Sequence, residues 1–126
     1  AGIIGIWVGA SQLFSPVSFE ASAGIHLGSN SSLLSEIRSA GGALLVAGTI
    51  IFAGAFFSRL TSFSLVLSAM FYLSYGLSRV ISGILDGLPA ESLVVAAVIE
   101  IIIGILSIAA LYNSVKINEQ AKVVPV

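Results

Sequence analysis

Glu100 lies in the middle of an otherwise uncharged apolar stretch, with residues 92–99 before it and residues 101–114 after it. A charge near the centre of a bilayer costs at least about 2.5 to 3.5 kcal/mol, so such a residue usually faces a partner inside the protein. Arg79 lies near the far end of the preceding apolar stretch. We therefore predict an ion pair, which either fixes the register of two helices or forms a site that binds or moves something.

Helical spacing places this pair on defined helix faces. On the stretch before the last span, steps of three or four residues form one polar stripe of Tyr72, Tyr75, Arg79, Gly83 and Asp86. On the last span, Ala96, Glu100 and Gly104 are four residues apart. Small residues on such a stripe let helices approach closely, so Glu100 is predicted to face protein and not lipid.

A second arginine is predicted to lie at a similar depth. At a rise of about 1.5 Å per residue, Arg38 and Arg79 lie about 7 to 10 Å below the outer loops, and Glu100 about 14 Å below them. Long arginine side chains can bridge that difference. The predicted buried polar cluster consists of Glu36, Arg38, Tyr72, Tyr75, Arg79, Asp86 and Glu100.

Composition assigns the chain to the membrane proteins. Its 126 residues are 57% hydrophobic and 9% charged, whereas about a quarter of the residues of a soluble domain are charged. A net charge of −1 without a basic run argues against nucleic-acid partners, and membrane lipids are the expected surroundings. The absence of cysteine and the presence of one histidine argue against zinc or iron sites built on those residues. No cofactor is predicted, although carboxylates alone can still bind a hard cation.

The pattern of apolar stretches predicts a single all-α domain, 1–126, built as an antiparallel four-helix membrane bundle. The predicted spans are residues 1–14, 33–58, 60–85 and 90–114, with an interfacial segment at 15–32 and a polar tail at 115–126. The first span would reach only about 21 Å of the roughly 30 Å hydrocarbon core. It is expected either to lack its beginning or to be a short helix left after removal of an initiator methionine.

Short connectors and basic residues predict the arrangement in the membrane. The segments 58–61 and 86–89 are short enough to make the spans that they join antiparallel neighbours. Arg59, Lys116 and Lys122 fall on one side of the membrane, opposite loops that carry acidic residues. Cytoplasmic loops are enriched in basic residues, so both termini are predicted to be cytoplasmic.

The charged and small residues together resemble a known family. The pattern comprises Ser35-Glu36-Ile37-Arg38 before Gly41-Gly42, Arg79 before Asp86-Gly87-Leu88-Pro89, and Glu100 before Gly104. It resembles the bacterial membrane family labelled domain of unknown function four-three-four-five, whose members have four predicted spans. The resemblance implies a four-helix bundle in the bacterial cytoplasmic (inner) membrane, with charged family positions at Glu36, Arg38, Arg79, Asp86 and Glu100. It implies no activity.

Three functions remain open on the sequence alone. A non-enzymatic accessory or scaffold subunit that packs against other membrane-protein subunits is favoured by the absence of a recognisable catalytic set and by the stripes of small residues. The alternative is a carrier or binding protein for a proton, a small solute or a lipid-like molecule, with Glu100 and Arg79 lining an outward-opening cavity. A membrane enzyme is the third hypothesis.

Overall fold

The computed structural model describes residues 1–123, which form five α-helices and no strand. The helices are α1 (Gly2–Phe14), α2 (Pro16–Ser22), α3 (Ser31–Ala53), α4 (Ser58–Asp86) and α5 (Glu91–Val123). Three of them, α3, α4 and α5, are long and apolar enough to cross a membrane, and α1 with α2 adds a fourth if that bent pair is one span. The predicted all-helical membrane bundle is therefore confirmed.

The predicted interfacial segment, 15–32, begins with the sharp bend between α1 and α2. The two helices meet at Ser15 with an angle of 119° between them. Pro16 occupies the first position of α2, where its fixed φ suits a helix and its missing N–H leaves no bond unmade. The rings of Trp7 and Phe19 pack edge to face with centroids 5.7 Å apart. Glu20 of α2 is also buried, and α2 packs against α1.

Glycines bring α1 and α3 into backbone contact. A Cβ atom placed on Gly9 would lie 2.4 Å from the backbone nitrogen of Leu45, and one on Gly48 would lie 2.5 Å from that of Ile6. No side chain fits in so small a space, so only glycine permits this approach. The spaced glycines Gly5 and Gly9 thus serve packing inside the bundle.

The second closely packed pair is α4 with α5. A Cβ atom on Gly104 would lie 2.5 Å from the side chain of Leu73, so this small position of α5 receives a leucine of α4. Gly76 lies in the same interface, against Ile101. The step of four that placed Glu100 on a small-residue stripe therefore does mark the face of α5 that contacts protein.

Two buried serines form a polar contact within this pair that the sequence did not single out. The hydroxyl groups of Ser68 and Ser107 lie 2.8 Å apart, and the two residues are only 2% and 6% exposed. Ser107 donates its proton to the carbonyl of Ile103, so Ser68 donates to the oxygen of Ser107. Each of these hydroxyl groups is therefore satisfied inside the membrane span.

The turn between α3 and α4 lies earlier than predicted. It comprises residues 54–57, whereas the predicted connector, 58–61, is the first turn of α4. Hydroxyl side chains explain the difference, because Thr61 donates to the carbonyl of Gly54 over 3.0 Å and Ser64 donates to that of Ile50 over 3.0 Å. The polar residues that suggested a loop instead satisfy carbonyls at the end of α3.

The other helix ends follow sequence signals. Asn30 caps α3 by accepting hydrogen bonds from the backbone nitrogens of Ser32 and Leu33. Gly87 ends α4 with a φ of 94°, a conformation that favours glycine. The predicted polar tail, 115–126, continues α5 as a helix as far as Val123, and its residues 124–126 lie outside the described residues.

Candidate functional site

A cavity of about 200 Å³ lies between the α1–α3 pair and the α4–α5 pair. Apolar side chains such as Ile4, Val8 and Ile99 form most of its wall, and Arg79 and Glu100 form a polar part of it. Helices α1 and α5 both border the cavity but are not among the pairs that pack extensively. An engineered cavity of about 150 Å³ is large enough to bind benzene, so this one has room for a molecule the size of a ring.

The predicted ion pair is present at the wall of this cavity. The Nε atom of Arg79 donates to Glu100, at 3.0 Å from Oε2 and 3.3 Å from Oε1. The side chains are 31% and 16% exposed, respectively. Within residues 1–123 this is the only salt bridge. The carboxylate of α5 thus faces α4, as its place on the helix predicts.

Arg79 uses only part of its hydrogen-bonding capacity within the protein. An arginine side chain carries five N–H donors, and the pair with Glu100 engages the one on Nε. Among the described residues, neither terminal nitrogen of Arg79 has an acceptor. Arg79 lines both this cavity and a second groove between α4 and α5, so a molecule bound beside it can accept a hydrogen bond from these donors.

Both predicted tyrosines line the same cavity. Tyr72 is 6% exposed, and its hydroxyl donates to the carbonyl of Ala1 over 2.5 Å, which ties α4 to the start of α1. The ring of Tyr75 stacks on that of Phe71, with centroids 6.4 Å apart. Tyr72 therefore connects the two helix pairs, and Tyr75 contributes a ring and a hydroxyl to the wall.

Gln12 is a polar wall residue that the sequence analysis missed. Its Nε2 atom donates to Oε1 of Glu20 over 3.1 Å, whereas its Oε1 atom is buried and has no hydrogen-bond partner among residues 1–123. Ile4, Val8 and Gln12 follow one another at steps of four on α1 and all line the cavity. This spacing could have identified Gln12 from the sequence, because a glutamine on an apolar helical stripe needs a polar partner.

Three residues of the predicted cluster lie away from the cavity. Arg38 donates through Nη1 to the carbonyl of Leu13 at the end of α1. Asp86 is exposed and accepts a hydrogen bond from the hydroxyl of Ser82 over 3.1 Å. Glu36 is exposed, and no described residue pairs with it. Their placement in one network with Arg79 was wrong.

Arg38 lies away from the cavity because its part of α3 packs against α1. A Cβ atom on Gly41 would lie 2.8 Å from the backbone nitrogen of Leu13, so this part of α3 lies directly against the end of α1. The last carbonyls of a helix have no partner within it and carry partial negative charge. Arg38 satisfies one of them, and its guanidinium group is thereby used on α1 and not on α5.

Replacing Arg38 by methionine is expected to lower the free energy of unfolding by about 1 kcal/mol, because one charge-assisted hydrogen bond at an exposed position is lost. Arg59→Met is the matched control, since Arg59 is exposed in the first turn of α4 and has no ion-pair partner in residues 1–123. Unfolding in a mixed-detergent titration measures both changes. Equal losses in the two variants would contradict the capping role of Arg38.

The arrangement suits non-covalent binding more than metal binding. Among residues 1–123, no three histidine, cysteine, aspartate or glutamate side chains lie close enough together to hold a metal ion. What the cavity offers is an apolar wall and hydrogen-bond donors on Arg79. Ligand sites commonly combine a mostly apolar lining with a few polar groups of this kind.

Comparisons with known proteins identify the family. Neither the curated proteins nor the solved structures include a match to this chain. A family model described as Domain of unknown function (DUF4345) matches residues 1–111, which include α1 to α4 and the Glu100 segment of α5. The chain therefore belongs to the DUF4345 family of domains of unknown function.

Proposed function

We propose that this protein binds a small lipid-soluble molecule in the cavity between its two helix pairs, as a non-enzymatic binding or carrier protein. The observation that carries the proposal is a mostly apolar cavity of about 200 Å³ whose wall contains Arg79 and Glu100. The space is open at its side, where the lining residues Ile4 and Ile99 are 43% and 45% exposed, so a lipid-soluble molecule can enter it from the membrane. Intramembrane ionisable residues often mark binding sites or pathways.

The geometry of the ion pair supports this role over one restricted to helix register. An arginine that serves only to fix register is best placed when all its donors meet partners in the protein. Here the terminal nitrogens of Arg79 meet none among residues 1–123, and the side chain borders open volume. Glu100 keeps the arginine in position, and the remaining donors are available to a ligand.

A cavity-filling substitution tests the proposal. Ala96→Phe places a ring in the cavity that Ala96 lines, whereas Gly42→Phe adds the same ring on α3, outside the cavity, where a Cβ atom meets nothing within 4 Å. Native mass spectrometry of protein released gently from its own membrane is expected to show a small-molecule adduct on the wild type and on Gly42→Phe, and none on Ala96→Phe. The same adduct occupancy on all three would contradict the proposal.

A second candidate is the accessory or scaffold subunit. Stripes of small residues suggested a partner helix, but most of the glycines pack inside the bundle. Ser74, Ser78 and Ser82, in contrast, lie at steps of four on α4 and are all exposed. Such a stripe suits close contact with a helix of another subunit. Copurification with a larger complex at fixed stoichiometry after mild solubilisation would support this candidate, and a monomer that migrates alone would count against it.

We also propose the bacterial cytoplasmic (inner) membrane as the location, with both termini in the cytoplasm. The supporting feature is the distribution of charge. Arg59 at the start of α4 and the lysines Lys116 and Lys122 near the end of α5 fall on one side of the bundle, because α4 and α5 run in opposite directions. Basic residues near the ends of spans are enriched on the cytoplasmic side.

A further inference from the structure

We infer that an anionic phospholipid binds with its phosphate group at Arg38, in an open groove of about 620 Å³ at the beginning of α3. Leu13, near the end of α1, forms the part of the groove opposite the first turns of α3. The groove shares no lining residue with the cavity beside Arg79, so this lipid site is separate from the proposed function.

Arg38 gives the groove a positive charge and has hydrogen-bond donors to spare. One of its five N–H groups bonds to the carbonyl of Leu13, and the other four have no acceptor among residues 1–123. No carboxylate in that part of the chain forms a salt bridge with Arg38, whereas Glu100 compensates the charge of Arg79. A guanidinium group matches two oxygens of a phosphate with parallel hydrogen bonds, which are stronger than bonds between neutral groups.

Hydroxyl groups lie beside Arg38 in the groove. Ser31, Ser35 and Ser39 follow one another at steps of four on α3 and are all exposed. Ser39 donates to the backbone carbonyl of Ser35 over 2.8 Å, whereas the hydroxyl groups of Ser31 and Ser35 have no acceptor within residues 1–123. Both can donate to phosphate oxygens or to the hydroxyl groups of a glycerol headgroup.

The charge of the groove favours an anionic headgroup over a zwitterionic one. None of the lining residues is acidic, so an ammonium group finds no carboxylate there. Glu36 is close to Arg38 in sequence but does not line the groove, because two residues along an α-helix turn by about 200°. Basic residues near the end of a span attract anionic lipids in general, and here one is combined with hydroxyl donors.

The groove lies at the depth of the lipid headgroups. The uncharged part of α3, residues 39–53, extends about 22 Å beyond Arg38, which is most of the roughly 30 Å hydrocarbon core. Arg38 therefore lies near the boundary of the core, and Ser31 and Ser35 lie farther out. Leu13 and Leu34 supply apolar surface in the same groove, which the beginning of an acyl chain can contact.

Lipid titrations followed by native mass spectrometry test this inference. The delipidated protein in detergent is titrated separately with dioleoyl phosphatidylglycerol, dioleoyl phosphatidylcholine and inorganic phosphate. The wild type is expected to bind the first phosphatidylglycerol at least about tenfold more tightly than either of the others. Phosphatidylcholine brings an ammonium group without a partner, and inorganic phosphate lacks the acyl chains.

Two pairs of variants locate the site. Arg38→Gln should weaken phosphatidylglycerol binding at least about tenfold. Arg59→Gln removes an exposed arginine at the opposite end of the bundle and should weaken it less than about twofold. Gly42→Phe places a ring in the groove, where a Cβ atom meets nothing within 4 Å, and should reduce binding as much as Arg38→Gln. Ala96→Phe fills the separate cavity and should bind phosphatidylglycerol as the wild type does.

Each outcome decides one part of the inference. Equally tight binding of phosphatidylcholine would overturn the anionic class, and equally tight binding of inorganic phosphate would overturn a lipid as the source of the phosphate. Equal losses in Arg38→Gln and Arg59→Gln, or unchanged binding in Gly42→Phe, would overturn the site. If Arg38→Gln does not fold, the comparison of Gly42→Phe with Ala96→Phe decides. The small-molecule adduct responds in the opposite way to these two variants, so failure of the lipid site and failure of the proposed function are distinguishable.

Discussion

Replacing Arg79 by methionine, or Glu100 by leucine, is expected to lower the free energy of unfolding by about 3 kcal/mol, whereas the double variant recovers most of that loss. Each single change leaves the other group without its partner within the helix bundle, at a pair distance of 3.0 Å in the native protein. The expected loss lies at the low end for a buried pair because 31% of the Arg79 side chain is exposed. Reversible unfolding in bicelles measures all three variants.

The same substitutions at unpaired sites provide the control. Arg59→Met and Glu91→Leu change the same residue types on the same two helices, and neither residue has an ion-pair partner within residues 1–123. Their effects should add within about 0.5 kcal/mol. Losses that also add for Arg79 and Glu100 would show that the two groups are not coupled.

The double variant also distinguishes a register role from a binding role. If the pair serves only to align α4 with α5, a folded Arg79→Met, Glu100→Leu protein should retain any small-molecule adduct of the wild type. If the pair forms part of a binding site, the folded double variant should lose it. We expect the second result, because Arg79 and Glu100 supply the charged part of the cavity wall.

Gly48→Ala is expected to destabilise the protein by at least about 2 kcal/mol. The added Cβ atom would lie 2.5 Å from the backbone nitrogen of Ile6 and 2.7 Å from the backbone carbon of Gly5. Backbone atoms cannot rotate away as the end of a side chain can, so α1 must move as a whole. Thermal unfolding in detergent, followed by circular dichroism, measures the change.

Gly42→Ala is the matched control on the same helix. A Cβ atom on Gly42 meets nothing within 4 Å, so the substitution should be neutral or stabilising by up to about 1 kcal/mol through helix propensity. Similar melting temperatures for Gly48→Ala and the wild type would show that α1 does not pack on α3 as closely as described. Both variants make the same Gly-to-Ala change on α3, so the difference between them measures the contact of Gly48 with α1.

The ion pair could be predicted from the sequence because two strong constraints coincide. A carboxylate in an apolar span requires a partner. The step of four through Glu100 and Gly104 identified the face of α5 that meets protein, and Arg79 occupied a matching depth on the preceding helix. Depth and helix face were both available from residue spacing alone.

The positions of the other polar residues depend on which helices are neighbours, and residue spacing does not reveal the neighbours. Arg38 lies at the predicted depth but faces α1, because the glycine contacts hold α3 against that helix. Gln12 was missed because it is uncharged and lies on a helix of only 13 residues. The polar residues 58–61 suggested a loop, but hydroxyl groups there bond to carbonyls of the preceding helix end and belong to α4.

The most direct test of the central claim is an experimental density map of the protein purified from its own membrane. We predict density for a bound small molecule in the cavity between the α1–α3 and α4–α5 pairs, with a polar group within hydrogen-bond distance of the terminal nitrogens of Arg79. Glu100 should contact Nε of the same arginine, at about 3 Å. A map in which Glu100 faces the lipid acyl chains, or in which side chains fill the cavity, would contradict the claim.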